Sequence, residues 1–235
     1  MSPGMKKLFA LPLALCICLL GYGQRADAWE VGLFLGQSLY QGDIANRSVD
    51  FDNTNMGFGL TTRYNYYSNL KFRGNLLFSR LSGSDSNAES EGRRKRGITF
   101  QTSIIEVSGL VEWEPLGEMR ELEGGKKKFF VSPYLMGGLG FAFINPKPQF
   151  PQLGSPDSQS PELRDLRAGY SKVHLAVPLG GGLRYDINRK WMIGAEIAGR
   201  LPFTDYLDGV SISGNPDKID WYWFYGLTLM FKPGL

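Results

Sequence analysis

The chain has 235 residues, a formal net charge of +3, 43% hydrophobic residues, two cysteines and a single histidine. A charge this close to neutral makes no global electrostatic case for nucleic-acid binding. The single histidine argues against a multi-histidine metal centre and against most nucleophile–histidine–acid triads.

The first segment reads as a targeting signal. Lys6 and Lys7 precede an apolar run over residues 8–20, too short to span a bilayer comfortably. Ala26-Asp27-Ala28 then offers a small-x-small cleavage site before Trp29, and a cut after Gln24 competes with it. Cys16 and Cys18 lie inside the run and follow Leu15 and Ile17, whereas lipidation wants a small residue there. The expected organisation is therefore residues 1–28 as a cleaved signal and 29–235 as one domain of about 207 residues. Cleavage lowers the formal charge to about +1 and leaves no cysteine, so disulfides and cysteine-rich metal sites are not expected. No apolar run long enough for a membrane helix follows.

Side chains on a strand alternate faces with period two, and that period dominates the rest of the chain. Eight strands are expected, over 29–42, 56–68, 71–84, 99–115, 129–145, 171–187, 191–206 and 220–232. The first is the least regular: Val31, Leu33 and Leu35 oppose Glu30, Gly32, Phe34 and Gly36. In the second, Phe58, Leu60, Tyr64 and Tyr66 oppose Gly57, Gly59, Thr61, Arg63 and Asn65; in the third, Phe72, Leu76 and Phe78 oppose Arg73, Asn75 and Ser79. In the fourth, Ile105, Val107, Val111 and Trp113 oppose Glu106, Ser108 and Glu112. In the sixth, Val173, Leu175, Val177, Leu179, Leu183 and Tyr185 oppose Lys172, His174, Gly180, Gly182, Arg184 and Asp186. The seventh sets Trp191, Ile193, Ala195, Ile197 and Leu201 against Glu196 and Arg200; the eighth carries Trp221, Trp223, Tyr225, Leu227, Leu229 and Phe231 on one parity.

A soluble sandwich buries the apolar face, whereas a membrane barrel turns it to lipid and encloses the other. Enclosing Glu30, Glu106, Glu112, Glu196 and Asp186 with Arg63, Arg73, Arg184 and Arg200 is costly unless the charges pair, since each unpaired buried charge costs several kcal/mol. A barrel of eight strands, just wide enough for side chains, allows that pairing. Connection lengths agree: 43–55, 85–98, 146–170 and 207–219 are long and polar, 68–70 and 188–190 are tight turns, and 116–128 is intermediate and charged. Short turns on the periplasmic side and long loops outside are the barrel arrangement. The fold class expected is an all-β, closed antiparallel transmembrane barrel of about eight strands with a plugged lumen.

No catalytic constellation emerges. His174 reads either as a base working with a loop aspartate or as one member of the enclosed polar network. Gly180-Gly181-Gly182 lies inside a strand with no helix or Lys after it, so it is not a phosphate loop. Arg93-Arg94-Lys95-Arg96 reads either as a contact for lipopolysaccharide phosphates or as a solvated loop. Asp205, Asp208, Asp217 and Asp220 surround the last long loop; calcium binding and turn or capping roles both suit them, with no EF-hand spacing. The connection 116–128 segregates Glu118, Arg120, Glu121 and Glu123 from Lys126, Lys127 and Lys128, which suits either an orienting polar interface or an elongated turn in water.

The first strand WEVGLFLGQSLYQGDI, the hairpin NRKWMIGAEIAGR and the closing TDYLDGVSISGNPDKIDWYWFYGLTLMF resemble PorG-type outer-membrane barrels of Bacteroidetes. The likeness is most specific at Tyr40, Gly42 and Asp43, at Thr204, Asp205, Tyr206 and Asp208, and at Asp220, Trp221 and Tyr222. It implies a Gram-negative outer-membrane component of the type IX secretion machinery that contacts periplasmic ring proteins, with no cofactor, metal or catalytic residue. The alternatives are a general structural or adhesive barrel working through its outer loops, and a membrane enzyme, which the lone His174 supports poorly.

Overall fold

The structure, a computed structural model, describes residues 28–42, 44, 53–87, 90–120, 131–150, 161–167, 169, 171–204, 206–212 and 220–234. The expected signal segment up to residue 27 lies outside them. Eight strands follow in order: β1 (Trp29–Gln41), β2 (Asn55–Asn65), β3 (Leu70–Ser84), β4 (Thr99–Trp113), β5 (Val131–Gln149), β6 (Val173–Asp186), β7 (Trp191–Leu201) and β8 (Trp221–Phe231). Each pairs antiparallel with its sequence neighbour, and β1 pairs with β8 from Val31↔Phe231 to Gln41↔Trp221, which closes the barrel. We call the rim carrying the start of β1 and the end of β8 the inner rim, and the opposite one the outer rim.

Period two explains both faces. The outward parity is exposed and apolar, with Leu35 and Leu139 each 60% exposed, while inward Arg63 and Glu112 are 1% and 0% exposed. An exposed apolar surface encircling the molecule would be unstable in water. Lipid tails match it, and closure satisfies every strand's backbone groups. Ring pairs brace the belt at its inner rim, Trp29 with Tyr64 (5.1 Å) and Trp191 with Phe231 (4.9 Å), and Phe58 stacks on Phe78 (5.3 Å) near the outer one.

The short inner connections follow from turn chemistry. Tyr67 and Leu70 exchange backbone hydrogen bonds around Ser68-Asn69, and Asn188 Oδ1 accepts from the backbone N–H of Lys190 and of Trp191, both at 2.8 Å. The long connections differ from expectation in holding short helices: α1 (Glu91–Arg96) between β3 and β4, and α3 (Pro161–Arg167) between β5 and β6. The inner connection after β4 likewise opens with α2 (Gly117–Arg120). Helices of four to seven residues leave no amphipathic period to detect. Phe203, with φ 47°, turns the chain out of β7 in the left-handed region, so β7 ends at Leu201 rather than at 206.

A second difference concerns the interior. The enclosed charges picked out from the sequence fill only its inner part, and its outer part is apolar. Beyond the belt, β3, β4 and β5 continue with their pattern inverted: Leu81, Phe100, Ile104 and Ile144 face inward and are buried, while Arg80, Ser103, Asn145 and Lys147 face outward. Past the lipid the surroundings are water, so the physical rule for which side chain points out reverses. Phe34, the irregularity of the first strand, belongs to this apolar cluster with Tyr40, Ile44, Leu207, Val210 and Phe224. β5 runs on to Gln149 through Pro146 and Pro148, which pair with Thr102 and Phe100. A proline has no N–H for a ladder, so both turn that missing donor to the free edge of β5 and blunt it against further pairing.

Candidate functional site: the paired interior and its outer cap

The inner half of the lumen holds one continuous ion network. Glu112 on β4 is its centre. Arg63 Nε lies 2.7 Å from Glu112 Oε2, Arg73 Nη1 3.1 Å from Oε1, and Arg184 Nη2 2.5 Å from Oε2. Each guanidinium has a second carboxylate: Arg63 donates to Glu30 (2.6 Å), Arg73 to both oxygens of Glu196 (2.7 and 2.9 Å), and Arg184 to Glu114. Lys71 adds a contact to Glu114 (2.9 Å) and Lys232 one to Glu30 (3.2 Å). Neutral donors complete the carboxylates: Tyr134 to Glu196 (2.7 Å) and Asn65 to Glu30 (3.0 Å).

Among the described residues the buried cations Arg63, Lys71, Arg73, Arg184 and Lys232 thus pair with the buried acids Glu30, Glu112, Glu114 and Glu196. Burying each charge costs several kcal/mol, and only mutual attraction with good hydrogen bonds offsets that. The bidentate Arg73–Glu196 fork is the geometry that does so best.

A separate pair marks the top of this storey. Glu106 accepts from Tyr222 (2.7 Å) and Ser108 (3.0 Å) and lies 3.3 Å from Arg200 Nε. Arg200 lays its guanidinium over the Phe224 ring at 4.7 Å, where the ionic interior meets the apolar one.

Residues 206–212, between β7 and β8, fasten the outer end. Leu207 and Val210 are fully buried. Thr102 Oγ1 donates to the Leu207 carbonyl (2.6 Å), and Asp220 Oδ2 accepts from the Leu207 N–H (3.1 Å). The Tyr40 hydroxyl bridges Asp208 Oδ2 (2.6 Å) and Asp220 Oδ1 (2.7 Å). Gly42 is buried beside them, where a Cβ would collide with Asp220 and with the Tyr40 hydroxyl. Gly209 turns the segment at φ 81°, against the ring of Pro148. Asp165 on α3 accepts from the N–H groups of Ser211 (3.3 Å) and Ile212 (3.0 Å), tying a second loop to the first.

The residues singled out from sequence fall into three groups. All nine expected network residues are buried on inward faces, and Asp186 is at the inner end of β6. Lys71, Glu114, Lys232, Tyr134 and Tyr222 were missed as members; each shares the inward parity of its strand, the signal that could have found them. Tyr40, Gly42, Asp208 and Asp220 come together in the cap, where Asp208 Oδ1 also accepts from the Val210 N–H (2.8 Å) in a local turn. Tyr222 reaches Glu106 instead; Trp221 is on the outward face, where its parity placed it, and Thr204 Oγ1 accepts from the Tyr206 N–H (3.1 Å).

The rest lie apart or outside. His174 is at the outer end of β6 beside the Ser171 carbonyl (2.6 Å), in neither network. Glu118 is exposed on α2. Asp43, Asp205, Asp217, Glu121, Glu123, Lys126, Lys127 and Lys128 lie outside the described residues, as does the side chain of Arg120. Among the described residues no group of three or more His, Cys, Asp or Glu could hold a metal.

Among solved structures, the fold is similar to three small barrels. One is the attachment invasion locus protein Ail of Yersinia pestis, solved with the heparin analogue sucrose octasulfate (16% identity, 86% of this chain, 99% of that chain, TM-score 0.40). The others are Neisserial surface protein A (12%, 87%, 97%, TM-score 0.49) and the outer membrane protein OprG of Pseudomonas aeruginosa (10%, 87%, 97%, TM-score 0.43). A comparison with curated proteins gave no match. The model of one family, described as a domain of unknown function (DUF6089), covers residues 6–234, and the chain belongs to that family.

Proposed function

We propose that the protein is an exported, non-enzymatic outer-membrane barrel that serves as an accessory component of a type IX secretion complex, meeting periplasmic ring proteins through the connection between β4 and β5. The observation that carries the structural role is the interior. Its inner half is filled by paired charges and its outer half by an apolar core fastened under residues 206–212. Among the described residues the interior offers no set of reacting groups, so this reading assigns the work to the ends of the barrel.

At the inner rim the two other connections are tight turns. The connection after β4 opens with α2, whose Met119 is 65% exposed next to Glu118, an apolar and a charged contact on one short helix. The segregated charges farther along it and the PorG-type motifs support a periplasmic partner. A second reading, a structural or adhesive barrel working outward, is favoured by the fastening of α3 to residues 211–212, which ties parts of two outer connections together.

The test replaces residues 117–127 with a short Gly-Ser turn and verifies insertion by the heat-modifiable gel shift of a folded barrel. Loss of co-purification with periplasmic ring proteins and of cargo secretion supports the first reading. Unchanged association and secretion discard it in favour of the outward one. In planar bilayers the folded protein should show no open-pore conductance.

A further inference from the structure

The outward face of β3, β4 and β5 changes character at one hydrogen-bonded row. Phe78, Ile105 and Phe143 form the last apolar row. The next three rows are Arg80–Ser103–Asn145, Ser82–Gln101–Lys147 and Ser84–Thr99–Gln149. Of these nine outward positions none is apolar, none is acidic and two are cationic. Arg80 and Lys147 are exposed, and neither has an ion-pair partner among the described residues. A soluble surface usually mixes both signs of charge; this wall carries one.

Here the ladders to the flanking strands also run out, although Asn55 Nδ2 still donates to Ser82 Oγ (2.8 Å) and Ser38 Oγ to the Arg80 carbonyl (2.6 Å). The β2–β3 ladder ends at Phe58↔Phe78 and the β5–β6 ladder at Phe143↔Val173.

We propose that this wall docks the phosphorylated glycolipid of the outer leaflet, with Arg80 and Lys147 holding its phosphates and the amides and hydroxyls between them meeting its sugars. The proposal rests on the outer-membrane reading above. A lipid whose tails lie along Phe78, Ile105 and Phe143 brings its headgroup against this face, because the wall is the direct continuation of the belt. Two residues of strand advance about 6.8 Å. Arg80 is therefore one step and Lys147 two steps past the last apolar row, within the depth of a sugar-phosphate headgroup.

The basic run of α1 follows β3 in the chain, outside the ladder rows, and its Lys95 is paired with Glu91 at 2.9 Å. The two strand cations lie on the rows that directly continue the apolar belt. Guanidinium and ammonium groups bind phosphate through charge-assisted hydrogen bonds, Arg in bidentate fashion.

The test uses the protein refolded into phosphatidylcholine vesicles and shown to be heat-modifiable. Binding of purified lipopolysaccharide, of the same lipopolysaccharide dephosphorylated, and of phosphatidylglycerol is then measured. The variants are Arg80→Glu with Lys147→Glu, and Arg94→Glu with Lys95→Glu. The expected result is at least a tenfold loss of lipopolysaccharide affinity in the first variant and less than a twofold change in the second. Wild type should bind dephosphorylated lipopolysaccharide as weakly as the first variant binds the intact one. Equal binding by wild type and the first variant overturns the proposal. So does phosphatidylglycerol competing mole for mole, which marks general attraction for anionic lipid, and so does binding lost only in the α1 variant. A chain that never becomes heat-modifiable defeats the membrane-barrel reading itself; a folded barrel indifferent to lipopolysaccharide defeats only the docking.

Discussion

Glu112→Gln tests the logic of the interior most directly. The substitution keeps the shape of the side chain and removes the one negative charge that touches Arg63, Arg73 and Arg184 together. Breaking a buried pair by neutralising one partner costs about 3–5 kcal/mol. Each of the three guanidiniums retains another carboxylate, Glu30, Glu196 or Glu114, so the lower end, about 3 kcal/mol, is expected. With a urea dependence of about 1–3 kcal/mol per molar, the unfolding midpoint should fall by roughly 1–3 M. The assay is urea unfolding of the refolded barrel in phospholipid vesicles, followed by tryptophan fluorescence and by the heat-modifiable band. Ser103→Ala, on the exposed outer wall, serves as the control and should leave the midpoint in place. If Glu112→Gln and Ser103→Ala unfold together, the network does not hold the barrel and the pairing argument is wrong.

Two further outcomes concern the cap and the glycines. Tyr40→Phe removes the hydroxyl between Asp208 and Asp220, and loss of a buried partner costs about 1–3 kcal/mol. Limited proteolysis within residues 206–219 should therefore speed up roughly 5- to 150-fold in vesicles while the strands stay protected; an unchanged cutting rate would show that Tyr40 does not fasten the loop. Gly209→Ala places a Cβ at φ 81° and 2.9 Å from Pro148 Cδ, so the midpoint should drop by the equivalent of at least about 1–2 kcal/mol. Gly109→Ala faces open space and should be neutral or slightly stabilising; the reverse order of the two variants would contradict the register and the direction of the β4 face.

Strand number, inward parity and the alternation of tight and long connections were all legible in the chain, because each is local. A side chain's face depends only on whether its number is odd or even, and a turn only on the residues that make it. Thus Glu196 and Arg73 could be assigned to one enclosure while their mutual fork, 123 positions apart, could not. The cap motif was visible as a resemblance, but not as a device: Tyr40, Asp208 and Asp220 meet only because closure brings the end of β1 beside the start of β8. The inversion at the outer rim was hidden for a related reason. Parity says which side chains share a face, but whether that face meets lipid, water or a neighbour depends on height along the barrel axis. Sequence alone thus determined a closed, alternating, charge-enclosing barrel. Tertiary structure decided which charges pair, how the last loop is fastened, and where lipid gives way to water, since each of these is a distance between residues the chain keeps far apart.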